Sequence, residues 1–77
     1  MDAAEVEARF DAEGVITVLS FVWQGAKYPV TSQGRQWEAA DGRHILVMTT
    51  GDRMFELVWD GRGPWRVLKA PGRPMVA

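Results

Sequence analysis

The sequence has no cysteine and a single histidine, His44. Disulfides and thiolate metal centres are thereby excluded, and one imidazole is too little for a histidine-built metal site. The glycines at 25, 34, 42 and 61 are isolated, so no phosphate-cradling loop can be written. Asp41, Asp52 and Asp60 each belong to a turn, and no second carboxylate stands at metal-ligand spacing beside them. No cofactor is expected. The most apolar stretch, 15–23, has nine residues, whereas a membrane-crossing helix needs about twenty. No basic opening leads into an apolar segment with a small-residue cleavage site, so the expected location is the cytoplasm, away from membranes. Lysine is scarce, two residues against seven arginines. Arginine is the side chain suited to bidentate contacts and to stacking on aromatics.

What is present is core material in a short chain. Seventy-seven residues with four tryptophans and three phenylalanines make one domain, expected over 1–70, just large enough to bury a core. The net charge of −1 hides an asymmetry. Residues 1–13 hold five acidic side chains against Arg9, a net of −4, and the rest holds eight basic against five acidic, a net of +3. That excess is too modest for a dedicated nucleic-acid binder.

The chain is organised around Val15-Ile16-Thr17-Val18-Leu19-Ser20-Phe21-Val22-Trp23, uncharged and rich in β-branched and aromatic residues, as strands are. Alternation puts Val15, Thr17, Leu19, Phe21 and Trp23 on one face and Ile16, Val18, Ser20 and Val22 on the other. Both faces are largely apolar, which predicts a strand covered on both sides.

Ahead of it, residues 2–13 read either as a short helix, with Asp2 and Glu5 as a capping box and Val6 four before Phe10, or as a strand, with Glu5 to Phe10 alternating. The strand is preferred, because so short a helix is marginal in water and a strand pairs directly with the next run through the Asp11–Gly14 loop. Further on, residues 24–27 turn the chain. Residues 27–39 form one long strand bent at Gly34, with Pro29 at an edge or bulge. Asp41-Gly42 is a hairpin signal. Residues 44–50 make a strand, Gly51-Asp52 a turn, 54–59 a strand, 60–64 a loop and 65–69 the last strand. The tail, 71–77, is expected to be flexible. Turns spaced near ten residues predict an all-β, strongly bent antiparallel meander or SH3-like small barrel of five to six strands.

Phe21-Val22-Trp23-Gln24-Gly25-Ala26-Lys27-Tyr28-Pro29-Val30, then Arg35-Gln36-Trp37, Phe55-Glu56-Leu57 and Trp65-Arg66-Val67-Leu68, carry a resemblance. They resemble a group of small uncharacterised bacterial domains with a W-x-G-x-x-Y-x-V … R-x-W core. These occur alone or appended to DNA-polymerase-like proteins of the Y family. The resemblance covers about 15–69. It implies an all-β fold and a DNA-repair or replication setting, and no catalytic residue can be carried over from it.

Trp23, Trp59 and Trp65 fall in phase with other apolar residues and read as core. Trp37, among Arg35, Gln36 and Glu38, reads either as a lid on the core or as an exposed stacking residue. His44 reads as a strand residue and not as a base. Basic residues follow nearly every turn. A meander brings the loops at 24–27 and 50–53 to one end, so Lys27 and Arg53 become neighbours there, with Arg35 and Trp37 expected nearby. At the other end Arg43 and Arg62 are expected to face Asp11 and Glu13. The candidate binding residues are thus Trp37, Arg35, Lys27 and Arg53. The sequence leads to a binding module, not an enzyme, presenting this surface to an unidentified protein partner. The alternatives are weak, sequence-independent binding of single-stranded nucleic acid and self-association; the oligomeric state is left open.

Overall fold

The computed structural model describes residues 3–70. The tail expected at 71–77 lies outside the described residues. Six strands run in chain order: β1 (Ala3–Phe10), β2 (Ile16–Trp23), β3 (Ala26–Ala39), β4 (Gly42–Thr49), β5 (Arg53–Trp59) and β6 (Trp65–Lys69). Every neighbouring pair is antiparallel, and β6 returns to β1 through Ala3↔Arg66 and Ala4↔Trp65, closing the barrel. Closure removes the exposed sheet edges that a run as apolar as β2 could not leave open. The N-terminal segment is the alternating strand, and 27–39 lies within one long strand.

The two-sided burial expected for 15–23 is not what the fold does. Glu7 pairs with Ser20, but Ala8 pairs with Val18, so Leu19 is an extra residue on β2. This bulge shifts the alternation by one. Ile16 and Val18 point inward before it, and Phe21 is buried and Trp23 packs on the core after it. Thr17 and Val15 are exposed, and Leu19 and Val22 only half-buried. The run is apolar on both faces because the inward face changes partway along it.

The core cluster joins these residues to Ala4, Ile45, Val47, Phe55, Leu57, Trp65 and Val67. Phe21 meets Phe55 edge-on at 5.0 Å and Tyr28 stacks on Phe21 at 5.2 Å. Trp59 stacks on Trp65 at 5.4 Å and its indole N–H donates to the Gly63 carbonyl at 3.0 Å. Trp23, Trp59 and Trp65 are therefore core or core-packed, as their phase predicts.

β3 is long because it serves two neighbours. Residues 26–29 pair with the end of β2, and from Val30 onward the strand pairs with β4. Past Ser20↔Pro29 the β2–β3 ladder stops, since proline has no N–H to continue it. Two glutamine side chains fill the gap. Gln33 accepts from the Val18 N–H (2.8 Å) and donates to the Ile16 carbonyl (2.6 Å). Gln36 donates to the same carbonyl (2.9 Å) and accepts from the Ile16 N–H (3.3 Å). Both glutamines reach one seam because Gln33 pairs with Val47 and Gln36 with Ile45, which leaves Gly34 and Arg35 opposite Leu46 alone. Gln33→Leu strands a backbone donor beside buried Val18. A loss of about 1–3 kcal/mol in urea denaturation is expected; a change below ~0.5 kcal/mol would show that the stitch carries no stability.

The Asp41-Gly42 hairpin is displaced by one residue from expectation. Ala39 pairs with Gly42, so the turn is Ala40-Asp41, and Gly42 alone has positive φ, +133°.

Candidate functional site

The bulge at Gly34-Arg35 sends Gln36 to the seam and Trp37 to the outside of the barrel. There Trp37 stands opposite His44. The two rings stack with centroids 5.2 Å apart and planes 21° from parallel. The Arg35 guanidinium lies over the Trp37 ring at 5.1 Å from its centroid. Trp37 is thus not a lid on the barrel core. It is a half-buried ring on the outer face, stacked on His44 and approached by the Arg35 guanidinium.

His44 is 6% exposed, although it lies on the outer face. Its Nε2 meets Asp41 Oδ1 at 2.6 Å and its Nδ1 meets Glu56 Oε2 at 2.8 Å. Glu56 is also buried, with Lys69 Nζ 3.9 Å from its other oxygen. Val58, in register with His44 across the β4–β5 ladder, is fully buried on this same face. The barrel therefore has a small second layer outside its wall. Two carboxylates on one imidazole favour the doubly protonated ring. The hydrogen bond to Asp41, then that to Glu56, raises the His44 pKa above its ordinary value, against the effect of burial. Asp41 is in turn lowered, chiefly by the bond from His44.

These shifts fix the pH dependence. A raised histidine pKa contributes stability that is complete below the ordinary value near 6.5 and is lost as pH rises through the folded value. A lowered carboxylate contributes stability present above the ordinary value and lost as pH falls through the folded one. From this triad, stability is expected to be greatest between about pH 4 and 6.5 and to decline above neutrality. Urea midpoints measured across pH 4–9 check it; a midpoint rising from pH 6 to 8 would contradict it.

Beside the stack, Trp37, Leu46, Met54, Phe55, Glu56 and Lys69 line a groove of about 440 Å³. Met54 is 50% exposed. Gly34 faces Leu46 with bare backbone; even a methyl group there would lie 3.7 Å from the Leu46 Cβ. Arg35 and Lys69 place positive charge near the groove, and buried Glu56 is already engaged by His44 and Lys69.

The four candidate residues separate into two groups. Arg35 and Trp37 share the outer stack. Lys27 and Arg53 are brought together at the barrel end formed by the β2–β3 and β4–β5 turns, where they line a pocket of about 310 Å³ with Tyr28, Pro29, Thr49 and Thr50. At the opposite end Arg43 faces the 11–14 loop as expected, through the Gly14 carbonyl, but among the described residues neither Arg43 nor Arg62 forms an ion pair with Asp11 or Glu13. Arg43 is taken by Glu38, Gln36 and the Gly14 carbonyl. Arg62 offers its backbone N–H to the Asp60 carboxylate. Asp11 closes its own loop, accepting from the Glu13 and Val15 N–H groups at 2.8 and 3.0 Å.

Sequence reasoning did not reach Asp41 and Glu56 as the partners of His44. The signal was present in the Thr50–Asp52 turn, which sets Thr49 opposite Arg53 and hence Leu46 opposite Glu56, diagonal to His44. Among the described residues no cluster of His, Cys, Asp or Glu is arranged to hold a metal, and no helix is long and apolar enough to cross a membrane. No protein-family model matches the chain, and no match was found among curated proteins or solved structures.

Proposed function

We propose that the protein is a protein-interaction module that receives a partner's apolar side chain in the outer groove between Trp37, Leu46 and Met54. One observation carries the reading: the groove lies on the outside of a barrel whose core is already filled from within. Exposed apolar surface of this kind marks a contact surface. The fixed Trp37 offers a large ring at little entropic cost, and the flexible Met54 adapts to what it meets. No catalytic step is assigned to the chain, since both His44 nitrogens are engaged by carboxylates. A cytoplasmic location belongs to the proposal as well, and a replication or repair setting rests on the sequence resemblance alone.

A photo-crosslinking residue in place of Met54 tests it. A discrete adduct is expected in cells, absent when the crosslinker replaces exposed Thr17 on β2 and lost with Leu46→Asp in a protein that still melts cooperatively. Equal adducts from both positions would overturn the groove.

Single-stranded nucleic-acid binding has less support. A base needs an open aromatic face, and the Trp37 ring is already stacked on His44 and approached by Arg35. Lys27 and Arg53 stand apart at the barrel end. No binding of labelled single-stranded DNA is expected at about 0.1 mM protein and low salt, where non-specific binders already saturate.

A further inference from the structure

The occupant of the groove can be inferred from another part of the same molecule. The β1–β2 hairpin exposes two large apolar side chains, Val15 at 45% and Phe10 at 53%, the latter with one edge of its ring against Trp59 at 5.5 Å. Between them stand Asp11 and Glu13, both exposed. The tip is stiff: the Asp11 carboxylate holds two backbone N–H groups, Asp11 and Gly14 close the loop through backbone bonds at 3.1 Å, and Arg43 clasps the Gly14 carbonyl. A preorganised tip loses little freedom on docking.

This hairpin is apolar and acidic, whereas the groove is apolar with Arg35 and Lys69 beside it. We infer that the groove binds the β1–β2 hairpin of a second copy of this chain. The inference rests on the groove being the interaction surface. The hairpin does not fill its own groove, because its tip is held at the start of β4, where Arg43 binds the Gly14 carbonyl and Phe10 meets Trp59 edge-on, short of Leu46 farther along the strand. Tip and groove are two different surfaces, so each copy can engage two different neighbours. Such a head-to-tail contact continues past a dimer into a chain or ring of copies.

Sedimentation velocity on the full chain tests this. The sedimentation coefficient is expected to rise with concentration toward about 1 mM, the range of a weak contact, and to pass beyond the value of a dimer. Raising salt from about 0.01 to 1 M cuts the screening length from ~30 to ~3 Å and should shift the population toward monomer. Glu13→Lys spoils the tip, and Met54→Lys spoils the groove. Each variant alone should be monomeric with unchanged melting, because neither side chain is buried. Mixed one to one they should form a dimer and nothing larger, since Met54→Lys supplies an intact tip and Glu13→Lys an intact groove. A wild-type protein monomeric throughout, association indifferent to salt, or a mixture that stays monomeric each overturns the inference. The groove reading fails separately. A monomeric wild type that still crosslinks a different protein from position 54 rejects the second copy and keeps the groove, whereas loss of both results rejects both.

Discussion

Replacing Gly42 by alanine is expected to remove roughly 3–5 kcal/mol of stability, close to the most a single substitution does without abolishing the fold. Two effects combine. The backbone at Gly42 has φ of +133°, a conformation closed to L-residues. A Cβ there would also collide with the Trp59 carbonyl oxygen and lie 2.8 Å from the Trp59 carbonyl carbon and 2.9 Å from Asp60 Cα. Those are backbone atoms, so no rotamer change relieves the contact. The chain can escape only by pulling the end of β5 away from the start of β4, which also disturbs Trp59 where it stacks on Trp65. A domain this small loses about 4–8 °C of Tm per kcal/mol, so the thermal midpoint should fall by at least ~12 °C. Gly25→Ala serves as the control. Its φ is also positive, +81°, but nothing lies within 4 Å of the added methyl, so its cost should be no more than about 1–2 kcal/mol. Equal losses at the two positions would show that backbone strain alone governs both.

His44→Leu should cost a similar amount, about 3–5 kcal/mol, for an electrostatic reason. The ring is the main partner of the buried Glu56 carboxylate, which keeps only Lys69 at 3.9 Å once the imidazole is gone. A buried charge stripped of its partner is expensive, whereas an apolar pair in the same space is not. The double substitution His44→Leu with Glu56→Leu is therefore expected to be more stable than His44→Leu alone, with a coupling of about 1–3 kcal/mol between the sites. Urea denaturation of the four proteins closes the cycle. Simple additivity would mean that Glu56 is satisfied by solvent and that the outer layer is not a unit.

These two positions mark what local sequence pattern can and cannot convey. The turn dipeptides and the strand composition are local signals, and they predict five to six antiparallel strands in a bent meander or small barrel; the structure has six and closes them. Asp41-Gly42 announced a hairpin, yet the place of the glycine in it depends on how closely β5 crosses β4, which is a tertiary fact. The bulge at Leu19 leaves no mark in composition; it is inferred only once Ala8 is seen opposite Val18 in place of Leu19. The double bulge at Gly34-Arg35 was half legible, since the glycine signalled a bend. Its consequence, two glutamines turned to β2 while Trp37 faces out, needed the register with β4. Of the candidate site residues, Lys27 and Arg53 were paired correctly by counting turns. Arg35 and Trp37, expected near that same barrel end, lie instead on the outer face, because the Gly34-Arg35 bulge and the register with β4 set their place. The histidine beside Trp37 reads from sequence as an ordinary strand residue, since its carboxylate partners come from a turn and from the next strand.

The glutamine seam makes the barrel unequal around its circumference. Between residues 16–18 and 33–36 no main-chain group of one strand is bonded to the other; amide side chains span the distance. A side chain can swing aside on its own, while a ladder must come apart rung by rung. The Ile16 and Val18 amide protons should therefore be the first of the buried strand amides to exchange with deuterated solvent. The cylinder has a hem that can be let out, and any larger rearrangement of this wall would start by unpicking it there.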